Sequence, residues 1–334
     1  EGWIPERVLD AQQVVLLVID GLGWNQLADR QHLAPVLAAS EGQPITTVAP
    51  TTTAAALTSI ATGAPPGDHG IVGYRIRTGG ETLNALRWST ENGDARERVI
   101  PSELQVLSPF GGRNPVVITK SEFARSGFTM AHLSGTQFRG YSTMSTFVHE
   151  IGTAVADGER FVYAYYDGLD RVGHERGHGA AFDAEYAFVD RLVGDIREQL
   201  DPAVALVVTA DHGQVHTGDN VIPIDASVMR HTHAISGEAR FVWLHANPGS
   251  QALLLEAAHA AHGDDAWVLS VDEVVAQRLL GGRVSPDART RLGDVALIAK
   301  STVALLDPAA PDSILIGRHG SLTADEMYVP LLCP

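Results

Sequence analysis

Asp211 and His212 follow directly on the apolar run Val204 to Val208, so two ionisable side chains stand where a buried strand ends and the backbone turns. The arrangement recurs. Asp20 closes "VVLLVID" with Gly21 and Gly23 beside it, "YAYYDGLDRVGHERGH" sets Asp170 and His174 four residues apart, and "IGRHGSLTADEMYVPLL" places His319 near the C-terminus. Singly, a carboxylate after a strand reads as a helix cap or turn residue. A lone histidine reads as structural or exposed, as we expect of His32, His245, His259 and His262. Together, three aspartates and three histidines are enough hard oxygen and nitrogen donors for two first-row metal sites, with Zn²⁺ favoured and Mn²⁺ the competitor. The four-residue spacing of Asp170 and His174 would put both on one side of a helical turn or tight loop. The single cysteine, Cys333, excludes an internal disulfide and a cysteine-rich zinc site.

A nucleophile has candidates too. Thr51, Thr52 and Thr53 precede the Ala-rich segment Ala54 to Ala61, which reads as a helix. A hydroxyl there either caps the helix or, at its positive end, serves as an attacking alkoxide beside bound phosphoryl oxygens.

These residues need a scaffold that brings strand ends together. Apolar runs at Val14 to Ile19, Val116 to Thr119, Thr129 to Leu133, Phe161 to Tyr166, Val204 to Thr209 and Phe241 to His245 alternate with amphipathic segments, the rhythm of an α/β protein. Ala180 to Leu200 has helical spacing, and shorter elements are expected near Leu253 to Ala261, Trp267 to Leu269, Glu273 to Leu280 and Val295 to Ile298. The expected fold is α/β, a central, mostly parallel sheet sandwiched between helices, in a single domain over residues 1–334. Two stretches break the rhythm. Residues 75–106 are polar and Gly-containing and read as an insertion or hairpin outside the core, either a substrate-facing lid or a plain surface excursion. Gln214 to Ala234 reads as a long irregular link.

Composition bounds the partners. A formal net charge of −16 argues against polymeric nucleic acid, which needs clustered Lys and Arg, but leaves small phosphorylated ligands open where cations override the surface field. No apolar stretch approaches the roughly 20 residues that span a bilayer. No export signal follows Glu1, so a cytoplasmic location is expected, although a chain opening on Glu rather than Met is also compatible with a removed leader.

The motifs "VIDGLG", "PTTTAAALTSIATG" with "HGIVG" following, "DRVGH", "TADHG" and "GRHG" before "EMYVPLL" span Val18 to Leu332. In this order they resemble the alkaline phosphatase superfamily, and within it the nucleotide pyrophosphatase/phosphodiesterase branch. The resemblance implies one metal held by Asp20, Thr53, Asp211 and His212, and a second held by Asp170, His174 and His319. It selects Thr53 as nucleophile because Pro50 to Thr53 matches the family's P-T-x-T. The implied reaction is a two-step displacement through a phosphothreonyl intermediate, cleaving phosphodiester or nucleotide pyrophosphate bonds of a small substrate. A phosphomonoesterase, a phosphonate hydrolase, a metal-dependent phosphomutase and a non-catalytic metal-stabilised module are the alternatives. Where the branch carries a phosphate-binding Asn after "HGI", this chain has Tyr74, which either touches substrate or packs. His178 and His216 read as partners that orient metal ligands, and His69 as a turn or supporting residue.

Overall fold

The β-branched run Gln13–Ile19 (β1) is the centre of a seven-stranded sheet. The other strands are Glu41–Thr46 (β2), Val116–Lys120 (β3), Gln137–Tyr141 (β4), Phe161–Tyr166 (β5), Val204–Thr209 (β6) and Tyr328–Cys333 (β7), in the spatial order β2-β7-β6-β1-β5-β3-β4. The chain is seen here as a computed structural model that describes residues 2–308 and 315–334. Five strands, β6-β1-β5-β3-β4, run parallel, while β7 pairs antiparallel with both β6 and β2. Register aligns the strand ends. Val18 pairs with Thr209 and Ile19 with Tyr166, so β1, β6 and β5 end level and the residues after them leave along one carboxyl edge. That edge is where open α/β sheets hold their ligands.

Alternation along the strands divides the core in two. Val15, Leu17 and Ile19 of β1 pack with Phe147 of the helix Met144–Ala156 and with Tyr186, Val189 and Val193 of the helix Ala180–Gln199. Val18, Val117, Tyr163 and Tyr165 point the other way, toward Ala54 and Leu57 of the helix Thr53–Thr62 and toward Trp88 and Trp243.

Trp243 belongs to a second, antiparallel sheet of Thr232–Glu238, Phe241–Ala246, Val295–Ala299 and Ala266–Ser270. The expected strand at Phe241 to His245 therefore forms, but outside the main sheet. Three further expectations are corrected. Thr129 to Leu133 is not a strand: Gly127–His132 is a helix, started by Ser126, whose hydroxyl accepts from the Thr129 N–H, and the edge strand comes later at β4. The stretch Gln214 to Ala234 is not structureless, since it holds the short strands Val215–His216 and Val221–Pro223 and the turn of helix Ala226–Met229. Residues 75–94 do not stand outside the core. They form a small sheet, Arg75–Thr78, Glu81–Asn84, Ser89–Thr90 and Gly93–Asp94, whose Ile76, Leu83 and Trp88 are fully buried. Among the described residues no helix is long and apolar enough to cross a membrane.

Between the two larger sheets lies a fully buried ion pair. Arg240 Nε and Nη2 donate to the two oxygens of Glu326, each at 2.7 Å, and Arg240 also donates to the carbonyls of Val303 and Ser301. Glu326 accepts in addition from the Ser321 N–H and the Thr323 hydroxyl. The pair thus fixes the turn that follows His319 to the second sheet. Leaving either charge alone costs about 3–5 kcal/mol. Glu326→Gln should lower the free energy of unfolding by about 3–5 kcal/mol, and a value equal to that of the parent chain would show the turn to be held by other contacts.

Several histidines are buried as neutral rings. Burial pushes His69 down to about 3, and His132 and His245 to about 4. His69 shows why: Nδ1 accepts from the Ile71 N–H at 3.1 Å while Nε2 meets the Ser59 hydroxyl at 2.9 Å, so a proton on Nδ1 would face another N–H. His69 is thus a turn anchor. The unfolded chain takes up protons near pH 6.5 and the fold does not, so these groups stabilise the fold above that pH and their contribution is lost as pH falls toward 4 and below. The guanidinium midpoint should drop between pH 7 and pH 5, and less steeply in His69→Gln, which keeps one acceptor and one donor but does not titrate. Equal slopes would contradict this.

Candidate active site

Six of the side chains singled out by their positions, with Thr53, form one buried cluster at the carboxyl edge of β1, β5 and β6. Asp20 leaves β1, Asp211 and His212 leave β6, and Asp170 with His174 ride the helix Gly168–Arg176 that follows β5. His319 arrives from the C-terminal segment, stacked on His212 with ring centroids 3.6 Å apart. The backbone permits the approach at Gly21. Its φ is +76°, its N–H donates to Asp211 Oδ1 at 3.2 Å, and a Cβ there would lie 3.0 Å from Asp170.

Each side chain of the cluster is held by one atom and turns another inward, and Asp20 Oδ1 and Asp211 Oδ2 are left without a hydrogen-bond partner. His174 Nδ1 lies 2.7 Å from the Gly317 carbonyl, His319 Nδ1 2.8 Å from that of Thr51, and His212 Nδ1 3.0 Å from that of Gly213. Only an N–H satisfies a carbonyl, so each Nδ1 carries a hydrogen, and in the neutral ring each Nε2 presents its lone pair inward. Asp20 Oδ2 accepts from the Tyr165 hydroxyl while Oδ1 has no partner. Asp211 Oδ1 accepts from two backbone N–H groups while Oδ2 has none. Asp170 Oδ1 accepts from the Gln214 amide while Oδ2 faces His174 Nε2 at 3.1 Å.

The bare atoms converge in two groups, Asp20 with Asp211 and His212, and Asp170 with His212 and His319; within each, the ligand atoms lie within 4.8 Å of one another. His174 Nε2 is 3.2 Å from His319 Nε2, adjoining the second group. Thr53 Oγ1 is 3.2 Å from His212 Nε2, beside the first. Buried, unpartnered carboxylate oxygens and facing imidazole lone pairs repel one another unless a positive charge sits among them. Divalent cations fit this donor set, all oxygen and nitrogen with no sulfur.

The electrostatics agree. Burial, then the carboxylates of Asp211 and Asp170, push Asp20 well above the usual carboxylate range, and burial likewise raises Asp211. Burial also works against charge on Asp170, but His174, His319 and His212 together outweigh it and hold that carboxyl far down. His174 is raised because the Asp170 carboxylate overcomes its own burial, whereas burial and the neighbouring His212 hold His319 well down. A divalent ion among these groups would offset the repulsion that raises Asp20 and Asp211.

Thr53 opens the helix Thr53–Thr62, and none of the three threonines caps it through its side chain. Thr51 instead binds the Ser321 carbonyl and the Gly320 N–H, tying the His319 turn to this helix. Tyr74 lies apart from the cluster but lines the same cavity, of about 730 Å³, together with Asp20, Thr53, Asp170, His174 and His319. His178 Nε2 stands 3.4 Å from Gln214 Oε1, while His216 accepts the His178 backbone N–H. Sequence reasoning overlooked Tyr165 and Gln214, the groups that hold Asp20 and Asp170, and Glu238, a cavity-lining acid that burial pushes well above its usual range. Only the alternation in "YAYYD" hinted at Tyr165, which shares a strand face with Tyr163.

A profile of the type I phosphodiesterase/nucleotide pyrophosphatase family matches residues 14–322. Among solved structures, human ectonucleotide pyrophosphatase/phosphodiesterase 5 is similar at a TM-score of 0.74 and 17% identity, over 96% of this chain and 87% of that one. The murine protein is similar at 0.73 and 18%, over 96% and 88%, and an inactive murine form was solved in complex with AMP. Phosphonoacetate hydrolase from Sinorhizobium meliloti is similar at 0.66 and 17%, over 97% and 90%. At these identities the likeness is one of fold. No curated protein matches in sequence.

Removing a partner that orients a metal ligand typically weakens the ion by about 10–100-fold. Tyr165→Phe, which frees Asp20 Oδ2 while keeping the ring, should lose metal to a competing chelator at a concentration lower by that factor. Unchanged retention would separate Asp20 from any ion.

Proposed function

We propose that this chain, which belongs to the type I phosphodiesterase/nucleotide pyrophosphatase family, is a two-metal hydrolase that cleaves phosphodiester or pyrophosphate bonds through Thr53. The observation that carries the reading is the Thr53 hydroxyl at a helix N-terminus, beside a cluster whose bare donors all face inward. In this reading Asp20, Thr53, Asp211 and His212 hold one cation, Asp170, His174 and His319 hold the other, and Zn²⁺ suits both better than Mn²⁺. The chain acts as one catalytic domain, with the main sheet sandwiched by helices as its frame.

Two bound cations supply a positive field for the attacking and leaving oxygens. The protein supplies the rest. The first-turn N–H groups of the helix at Thr53 have no intrahelical carbonyl and, with the helix dipole, favour an alkoxide at Thr53 Oγ1 and phosphoryl oxygens next to it. Thr53 Oγ1 forms a bond to phosphorus as the bond to the leaving oxygen breaks, giving a phosphothreonyl ester. Water then attacks the same phosphorus and returns the hydroxyl. Ring anchors at Gly317, Thr51 and Gly213 keep the imidazoles aimed throughout. The cavity, of about 730 Å³, has room for a substrate larger than phosphonoacetate.

Thr53→Ala should lower kcat on bis(p-nitrophenyl) phosphate by about 10³-fold or more while the circular dichroism spectrum and at least one bound metal persist. Chelator should abolish turnover in the parent chain and Zn²⁺ restore it. Full activity in Thr53→Ala would reassign the nucleophile. Faster turnover of phosphonoacetate or p-nitrophenyl phosphate than of any diester would move the substrate assignment to a phosphonate or a monoester.

A further inference from the structure

The second sheet ends its outermost strand, Thr232–Glu238, against the candidate site. Ser236, Gly237 and Glu238 of that strand line the cavity. Glu238 Oε2 lies 4.0 Å from His319 Nδ1, a nitrogen already committed to the Thr51 carbonyl, so the two form no hydrogen bond. The His319 turn comes this close because Gly320 has no side chain: its φ is +133°, and a Cβ there would lie 2.8 Å from Glu238 Cγ.

Two acids of this region are treated differently. Glu326 receives two nitrogens of Arg240. Glu238, whose side chain is only 11% exposed, receives none of these bonds, and its Oε1 has no hydrogen-bond partner among the described residues. The Thr52 hydroxyl favours its charge, while burial and the carboxylates of Glu326 and Asp170 oppose it. Among the described residues it also stands outside both groups of converging metal-ligand atoms. A buried carboxyl oxygen without a donor is costly, and a donor carried by the substrate relieves it.

Ser236 continues the same face. It stands two residues before Glu238, about 7 Å along the strand, and the two lie across from Trp243 and Phe241. Ser236 Oγ is 2.8 Å from His245 Nε2, with both residues buried. Burial keeps that imidazole neutral, so the carboxyl beside His319 is followed by an uncharged hydroxyl–imidazole pair. A hydroxyl bonded once keeps the capacity for a second bond.

We propose that Glu238 and Ser236 form the leaving-group subsite, which takes the hydroxyls of a departing polyol such as glycerol or a sugar. This rests on the phosphodiesterase reading and narrows it to diesters whose leaving alcohol carries free hydroxyls. In an in-line displacement the leaving oxygen departs on the side of phosphorus away from Thr53. Thr53 adjoins the group of Asp20 and Asp211, whereas Glu238 adjoins His319 of the other group. The departing alcohol therefore passes the Glu238 end of the strand. An ionised carboxyl accepts from a hydroxyl and a protonated one both donates and accepts, so the subsite works in either state. A leaving group that is itself a phosphate gains nothing from an acidic wall.

The test compares kcat/KM on thymidine 5′-(glyceryl phosphate) and thymidine 5′-(propyl phosphate), which differ only in the glycerol hydroxyls, using the metal-loaded parent and Glu238→Ala. The parent should prefer the glyceryl diester and release glycerol, and the variant should lower that preference by about tenfold or more. Disturbance of the nearby His319 lowers both constants alike, so their ratio reads the subsite alone. A ratio within about twofold of the parent's would overturn the subsite. So would release of thymidine in place of glycerol, or faster turnover of ADP-ribose than of the glyceryl diester. If Glu238→Ala does not fold, Ser236→Ala decides the same comparison, with a loss of about threefold expected and an unchanged ratio overturning it. Calorimetric binding of the two diesters to Thr53→Ala gives a readout without turnover. The glyceryl diester should bind about tenfold tighter, and equal affinities would overturn the subsite. Turnover of neither diester by the metal-loaded parent would refute the hydrolase reading, and the calorimetry would still decide the subsite.

Discussion

Three carboxylates gathered at one sheet edge, Asp20 and Asp211 buried and Asp170 partly so, set the terms for this fold. Asp20, Asp170 and Asp211 leave three different strands or the helix after one, and the level ends of β1, β5 and β6 oblige them to meet. Like charges in a dry interior repel strongly, so the meeting point demands positive charge. The surrounding structure reads as an answer to that demand. One oxygen of each carboxylate is satisfied by the protein, one nitrogen of each imidazole is tied to a carbonyl, and the rest face a common centre. The buried Arg240–Glu326 pair serves the same end at longer range, because it fixes the turn that delivers His319.

In the two-metal reading, a locally cationic site is also how a chain of net charge −16 would bind phosphorylated molecules. Surface carboxylates are screened within about 8–10 Å by salt, while cations in a buried cluster act at contact distance.

Much of this was legible in the sequence, and the limits are physical. Asp20, Asp170 and Asp211 drew notice because each closely follows an apolar run, and strand ends in a parallel sheet share an edge; the full ligand set and the choice of Thr53 among three threonines came from the family resemblance. The run at Thr129 to Leu133 misled because a short apolar stretch has no period of its own; the capping hydroxyl of Ser126 decided for helix. The core role of residues 75–94 was hidden because Ile76, Leu83 and Trp88 are isolated among polar neighbours and reveal their face only when the strands pair. Tyr165 and Gln214 were missed because nothing in their spacing announces a hydrogen bond to a residue some 145 or 44 positions away.

The carbonyl tethers on His174, His212 and His319 have a kinetic corollary. Ordering the rings is an entropic debt settled when the chain folds, so in the two-metal reading proposed above an arriving ion would meet a finished socket instead of assembling one. Depletion would then empty that socket without dismantling its walls, which would make ion exchange a matter of diffusion and dehydration.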